Sequence, residues 1–135
     1  MDLLGGASFQ RLEGAIHAAT LRQRVMANNI ANVETPHFKR PDVAFEDLLA
    51  RSMGSGGRTF VGKRTDERHI PIGGSAGVPT PQVRTDDSTL INNNRNNVDI
   101  DKEMALLAEN QLRYNLYIQQ VSHDVRMLRM GIEGR

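Results

Sequence analysis

The two ends of the chain carry apolar residues at the alternating three- and four-residue spacing of a coiled-coil seam. The first run comprises Phe9, Leu12, Ile16, Ala19, Gln23, Met26, Ile30 and Val33. The second run comprises Ile100, Met104, Leu107, Gln111, Tyr114, Ile118, Val121, Val125, Leu128 and Ile132. This spacing keeps one face of an α-helix apolar along its whole length. The sequence therefore predicts a mainly α chain whose long N- and C-terminal helices pack as an antiparallel coiled-coil hairpin.

The hairpin divides the chain into three parts. Residues 1–33 form the N-terminal axial helix, residues 34–98 hold a turn, a short helix and a flexible insert, and residues 99–135 form the C-terminal axial helix. The short helix is predicted over 42–53, behind Pro41 and with Asp42 as its cap. From Gly54 onward the chain is rich in glycine and asparagine, which predicts a loop-rich insert with room for short strands at 59–61 and 69–72.

Each seam holds one glutamine, and these two residues suggest how the helices align. A buried amide opposite leucine would lack a partner, at a cost of about 1–3 kcal/mol. Pairing Gln23 with Gln111 avoids that cost. This register predicts that Phe9 lies near Val125 and that Val33 lies near Asp101.

Apolar residues also occur off both seams. On the first helix they include Ala15, Ala18, Leu21 and Val25, and on the second Ala105, Leu106, Leu112, Leu116, Met127 and Met130. An apolar stripe wider than a single seam predicts that the helices pack against more than one neighbour.

The helix boundaries carry recognisable signals. Pro36 biases Thr35 toward extended backbone, so the first helix is expected to end at or just before Glu34. The side-chain amides of Asn28, Asn29 and Asn32 compete for backbone groups there, and Phe38 is a candidate aromatic anchor. Ser8 is the predicted N-cap of the first helix, and Asp99 and Asp101 are expected to cap the second.

Composition argues against several classes of function. The net charge is +1 with both signs interspersed, so no field suited to nucleic acid is expected. The four histidines share no metal-ligand spacing, the chain has no cysteine, and we find no catalytic constellation, phosphate loop or small-molecule substrate site. We therefore expect no enzyme, no metal and no cofactor. Neither a transmembrane run nor a cleavable secretory signal is expected.

The stretch from Ala27 to Lys39 closely resembles the signature of bacterial flagellar rod and hook proteins, roughly A-N-N-I-A-N-x-x-T-P-x-[YF]-K. Two positions depart from it: His37 stands where the family often has a small residue, and Phe38 replaces the commoner tyrosine. The stretch from Asn97 to Ala105, followed by Asn110 and Tyr114, resembles a second motif of the same family. The short chain is most similar to the proximal rod members.

The resemblance implies a structural subunit of the proximal rod of the flagellar basal body, which polymerises through its terminal helices into an axial drive-shaft and export channel. Implied partners are further copies, other rod subunits, the membrane-embedded ring and the adaptor at the rod base. The implied location is the periplasmic rod, reached without a cleavable signal. The alternative is a soluble coiled-coil adaptor or dimerisation module.

Two sets of residues are predicted to carry this function. The turn motif comprises Asn28, Asn29, Asn32, Thr35, Pro36, Phe38 and Lys39. The helix-packing and assembly set comprises Leu12, Ile16, Gln23, Met26, Ile30, Met104, Leu107, Gln111, Tyr114, Ile118, Val121, Val125 and Leu128.

Overall fold

The computed structural model describes residues 6–54, 78–85 and 95–134. Its elements are α1 (Ala7–Ala31), β1 (Pro41–Ala44), α2 (Glu46–Gly54), β2 (Gln82–Thr85) and α3 (Ile100–Glu133). The mainly α fold is confirmed. The long terminal helices pack together and run antiparallel, because Ala19 on α1 contacts Asn110 on α3 while the later residue Asn29 contacts the earlier residue Glu103. The strands predicted at 59–61 and 69–72 lie outside the described residues.

The ends of α1 differ from their predictions. Gly6, in extended backbone with φ −63° and ψ 144°, occupies the N-cap position without a side-chain bond, so the prediction of Ser8 as the cap is wrong. The helix ends at Ala31, three residues before Glu34. Its last turn is closed by Asn32, whose side-chain nitrogen donates to the Asn28 carbonyl at 2.8 Å. An amide that binds the backbone of the preceding turn competes with further helix and ends it early.

The start of α3 follows its prediction. The Asp99 carboxylate accepts from the backbone nitrogens of Asp101 and Lys102 at 3.0 and 3.3 Å, which satisfies amides that have no partner within the helix. At the other end Gly134 adopts a left-handed conformation with φ 68°, and its nitrogen donates to the Met130 carbonyl. Glycine takes this conformation without the steric cost paid by other residues.

The segment after the turn forms a strand where a helix was predicted. Pro41–Ala44 pairs antiparallel with Gln82–Thr85, and α2 begins only at Glu46. The prediction of helix over 42–53 was therefore wrong in its first four residues. The pairing partner lies about forty residues further along the chain, so local sequence signals gave no sign of it.

The apolar core of the described residues is small. It consists of Ala18, Ala19, Met26, Val43, Phe45 and Val98. Phe45 packs against α1 at Gly14, where an added Cβ would lie 3.1 Å from the Phe45 Cζ and 2.7 Å from the Val78 Cγ1. The absence of a side chain at Gly14 therefore lets the β1–β2 segment approach the helix.

The predicted seams are only partly buried. Met26 is buried, Leu12, Ile16 and Ile30 are half-buried, and so are Leu107, Tyr114, Val121 and Leu128 on α3. The other predicted positions on α3 are exposed, namely Met104, Gln111, Ile118 and Val125. Their places are taken by the residues one position earlier, which are Glu103, Asn110, Tyr117 and Asp124.

The predicted pairing of the two seam glutamines is wrong. Gln23 and Gln111 are both exposed, and Gln111 lies 3.5 Å from Asn115 on its own helix. The buried amide between the helices belongs to Asn110 instead, which donates to the Ala19 carbonyl at 2.8 Å. A water-exposed glutamine needs no partner, so the energetic reason for the pairing does not apply.

Candidate functional site

Asn96 fixes the turn that follows α1. Its side-chain nitrogen donates to the carbonyl oxygens of Asn32, Val33 and Thr35, each at 2.9 Å, and its side-chain oxygen accepts from the Val98 nitrogen at 2.7 Å. The Asn96 side chain is fully buried. One amide thus binds several backbone groups of the turn that ends the helix, and two of them, the Asn32 and Thr35 carbonyls, also accept from backbone nitrogens of the turn itself.

A buried ion pair lies beside this turn. The Glu103 carboxylate, with no exposed surface, accepts from the Arg40 guanidinium through one oxygen and from the Asn29 side chain through the other, the latter at 3.0 Å. Asn29 also donates to the Pro41 carbonyl at 3.1 Å. A buried carboxylate needs such partners, because an unpaired charge away from water is strongly destabilising.

Arg40 is held from a second direction as well. Its backbone nitrogen donates to the Asn97 side-chain oxygen at 2.6 Å. Burial alone would lower the pKa of Arg40, but the hydrogen bond and charge of Glu103, aided by Asp42, outweigh that effect and raise the pKa above its ordinary value. The guanidinium therefore stays charged at any physiological pH. We call the set Asn29, Arg40, Asn96, Asn97 and Glu103 the polar junction.

The polar junction joins the two sequence motifs. Asn29 belongs to the turn motif, whereas Asn97 and Glu103 belong to the second one, between 57 and 74 residues away along the chain in these contacts. The structure therefore brings together two stretches that the sequence showed only as separate signatures. Their contact is made chiefly through hydrogen bonds rather than apolar packing.

The remaining turn-motif residues take lesser roles. Thr35 donates from its hydroxyl to the Asn32 side chain at 3.2 Å, and Asn28 accepts from Asn32. Phe38 and Lys39 are half-buried, and Pro36 is exposed. His37 has φ 61°, a left-handed conformation that glycine adopts most readily because it has no Cβ.

Sequence reasoning did not identify four members of the polar junction as site residues, namely Arg40, Asn96, Asn97 and Glu103. The position of Glu103 gave one signal that it could be buried. It falls one residue before a seam position and so lies near the inner face of the helix. Arg40 and Asn96 stand in polar stretches where nothing in the local pattern separates a buried side chain from a solvated one.

A second charged cluster attaches α2 to both long helices. The Arg22 guanidinium binds the Glu46 carboxylate and lies 3.3 Å from the Val43 carbonyl, while Arg113 lies 3.7 Å from Glu46. Burial raises the pKa of Glu46, but the hydrogen bond from Arg22, a backbone hydrogen bond and the charges of both arginines outweigh it and lower the pKa below 4.5. Glu46 is therefore ionised at neutral pH.

Helix α3 leaves most of its apolar surface uncovered. Its two buried residues are polar, Glu103 and Asn110. Nine of its large hydrophobic residues are exposed, namely Ile100, Met104, Leu112, Leu116, Ile118, Val125, Met127, Met130 and Ile132. Nine exposed large hydrophobic residues on one helix mark a candidate interaction surface.

Other kinds of site find no support within the described parts of the chain. Among residues 6–54, 78–85 and 95–134, no group of three or more histidine and acidic side chains could hold a metal ion. No helix in those ranges is both long and apolar enough to cross a membrane.

Comparison with known proteins points to one family. The family described as "Flagella basal body rod protein" matches residues 9–39. The flagellar basal body rod protein FlgB of Bacillus subtilis is 32% identical over 134 residues, which cover 99% of this chain and 98% of that protein. FlgB of Borreliella burgdorferi is 33% identical over 84% of this chain and 87% of its own length. FlgB of Yersinia enterocolitica is 33% identical, with coverage of 84% on both sides.

Proposed function

Because this chain belongs to the family of the flagellar basal body rod protein FlgB, we propose that it is a subunit of the proximal rod that polymerises through its terminal helices. The family makes it a structural component of the flagellar basal body, which assembles with other rod and basal-body components. Polymerisation and the formation of a channel are what we propose beyond this. In the proposed rod, the helices of successive copies surround an axial channel and transmit torque.

The exposed apolar surface of α3 is the observation that carries this proposal. A helix of 34 residues that buries two polar side chains and exposes nine large hydrophobic ones is left largely uncovered by the described parts of its own chain. Each large side chain that becomes buried in an assembly contributes about 1.5–3 kcal/mol. Neighbouring copies therefore gain stability from contacts that the single chain does not make.

The family resemblance and the large exposed apolar surface of α3 also support a route of delivery to the rod and a set of partners. We place the subunit in the periplasmic rod, delivered by the flagellar secretion apparatus, in contact with other rod subunits, the membrane-embedded ring and the adaptor at the rod base. A chain whose helices gain much of their packing only on assembly is suited to passing a narrow channel unfolded. The helix-packing set and the turn motif predicted from the sequence are the residues that we assign to assembly.

The substitution Ile118→Asp tests this function. Ile118 is 40% exposed in the single chain, so a charge there perturbs the monomer little but places an unpaired carboxylate in any helix interface. We expect the variant to be exported at normal levels, to be missing from purified basal bodies, and to leave cells non-motile. Asn115→Asp is the matched control, since it adds the same charge at an exposed polar position of the same helix.

Normal swimming of Ile118→Asp cells, with the variant present in their basal bodies, would contradict the proposal. The adaptor alternative makes a different forecast for the purified protein. An adaptor should melt cooperatively at a temperature that depends on its concentration, as a closed dimer does. A rod subunit outside the rod should keep poorly ordered helix ends at every dilute concentration.

A further inference from the structure

Methionine is the oxidisable residue type of this protein. Cysteine and methionine are the side chains that carry oxidisable sulfur, and the chain has six methionines but no cysteine. Modification of the chain by a peroxide therefore falls first on its methionine sulfurs.

The methionines within the described residues fall into two classes by exposure. Met26 belongs to the small apolar core and is only 5% exposed. Met53 on α2 is 55% exposed, and Met104, Met127 and Met130 on α3 are 58%, 52% and 46% exposed. Because susceptibility to oxidation follows exposure, a dissolved peroxide reaches these four side chains and is kept from Met26.

The three exposed methionines of α3 lie toward its two ends. Met104 is the fifth residue of the helix, whereas Met127 and Met130 lie in its last two turns. Residues three apart are neighbours on a helix surface, so Met127 and Met130 form a pair. This pair lies about 35 Å from Met104 along the helix axis, at 1.5 Å per residue. Oxidation therefore alters the apolar surface of α3 near both ends.

Oxidation reverses the effect of burying these side chains. A lone pair on the methionine sulfur attacks one oxygen of hydrogen peroxide, and the O–O bond breaks with loss of hydroxide. The hydroxide removes the proton from the oxygen now bound to sulfur, which leaves a sulfoxide and water. The sulfur has lost two electrons and the peroxide has gained them. The new oxygen makes an apolar side chain polar, so its burial without a hydrogen-bond donor is unfavourable.

We propose that Met104, Met127 and Met130 are oxidation sites through which a peroxide blocks entry of the free subunit into the rod. This inference rests on the proposed function, in which neighbouring subunits cover the exposed apolar surface of α3. An oxidised subunit carries sulfoxide oxygens on that surface and binds its neighbours more weakly. A subunit already in the rod is protected, because the contacts that use these methionines also cover their sulfurs.

The modification is chemically reversible. A methionine sulfoxide reductase returns the sulfoxide to the thioether with two electrons from a pair of thiols, which become a disulfide while the oxygen leaves as water. Exposed sulfoxides on α3 are open to such an enzyme in the free subunit. An oxidised subunit is therefore held back from assembly until it is reduced.

The order of oxidation is tested on the purified full chain. The chain would be treated with hydrogen peroxide, and the gain of one oxygen atom at each methionine would be followed over time by peptide mass spectrometry. We expect Met104, Met127 and Met130 to react at least about tenfold faster than Met26, the internal control. Equal rates at all four would overturn the inference, because α3 would then carry no selective site.

The effect on assembly is tested in cells that build new rods during a pulse of hydrogen peroxide. An immunoblot of purified basal bodies gives the amount of subunit incorporated, as a ratio to untreated cells of the same strain. We expect this ratio to fall about tenfold for the native chain and to stay near one for Met104→Leu/Met127→Leu/Met130→Leu. Leucine is close to methionine in volume and has no sulfur to oxidise. Met53→Leu is the matched control and should lose as much as the native chain.

Equal losses in the native chain and the triple leucine variant would overturn the inference, since the peroxide would then act elsewhere. Resistance of Met53→Leu equal to that of the triple variant would also overturn it. Should the triple variant be missing from untreated basal bodies, the three single leucine variants replace it, and equal losses in all of them and the native chain would count against the inference. Absence of the native chain from untreated basal bodies would instead overturn the proposed function, whatever the order of oxidation in the purified chain.

Discussion

The side chain of Asn96 alone holds much of the turn after α1 in place. Its amide donates to three carbonyl oxygens that α1 and the turn leave without helical partners. The same amide also holds the start of the segment that leads into α3, through the Val98 nitrogen. Loss of this side chain would remove all four of these hydrogen bonds at once.

The substitution Asn96→Ala is therefore expected to lower the free energy of unfolding by about 2–3 kcal/mol. Urea denaturation of the full chain, followed by circular dichroism, measures the change. Asn115→Ala removes an exposed asparagine from α3 and serves as the control, with an expected effect within about 0.5 kcal/mol. Equal effects of the two substitutions would show that the hydrogen bonds of Asn96 do not add measurably to the free energy of unfolding.

The polar junction also shows where sequence reasoning stops at the residue scale. The motif signature directed attention to Asn29 and Asn32, because asparagines at a helix end compete for backbone groups. It gave no reason to connect them with Asn96, since only the folded chain brings the two together. A buried hydrogen-bond network has no periodicity, and periodicity was the main signal available.

At the scale of elements, the long helices and the Asp99 cap could be predicted, because spacing and capping are local properties. The inner face of α3 was predicted for Leu107, Tyr114, Val121 and Leu128 but not for the residues between them. Under the proposed function, the seam pattern records every surface that a helix buries in the assembly. The single chain buries only the part that lies against α1, which accounts for the difference between the pattern and the monomer.

Alanine substitutions at two helix glycines are expected to change stability in opposite directions. Gly14→Ala is expected to destabilise the chain by about 1–3 kcal/mol, because the new Cβ would overlap Val78 and Phe45 and push the β1–β2 segment off α1. Gly131→Ala meets nothing within 4 Å and should stabilise α3 by about 0.5–1 kcal/mol through its better helix propensity. Thermal unfolding of both variants measures the signs. Stabilisation by both would show that the segment does not pack closely on Gly14.

The attachment of α2 should weaken in acid. Glu46 has a pKa lowered by its arginine partners, so its ion pair contributes stability that is present above the unfolded value near 4.5 and is lost as pH falls through the lower folded value. Because the Glu46 side chain is 50% exposed, the contribution should stay below about 1 kcal/mol. Unfolding free energies measured from pH 6 down to about pH 3 should fall less steeply for Glu46→Gln than for the native chain. Parallel curves would exclude this role.

At the scale of the whole molecule, the buried side chains of the two long helices are concentrated at the end of the hairpin where α1 ends and α3 begins. Within the described ranges, every buried residue of α1 lies at or after Ala18, and α3 buries nothing after Asn110. Among the described residues, the outer part of α1 packs closely against Phe45 and Val78 at Gly14, but it buries no side chain of its own. The molecule thus has one well-packed end, from which the first half of α1 and the second half of α3 extend.

Hydrogen exchange on the isolated full chain should reproduce this distribution. Amides around the polar junction, at the end of α1 and the start of α3, should exchange slowly, and those of α3 beyond Val121 should exchange quickly. The same late amides should become protected in purified basal bodies, where neighbours cover them. Slow exchange along all of α3 in the dilute monomer would mean that the chain is complete without neighbours.

The residues of the polar junction lie far apart in the sequence, and this separation delays the folding of the turn after α1. The bonds that hold residues 32–40 in place come from Asn96, Asn97 and Glu103, between 57 and 64 residues later in the chain. During synthesis, the first third of the polypeptide thus leaves the ribosome long before its stabilising partners exist. The turn after α1 therefore cannot take its final form until about three quarters of the chain has been made.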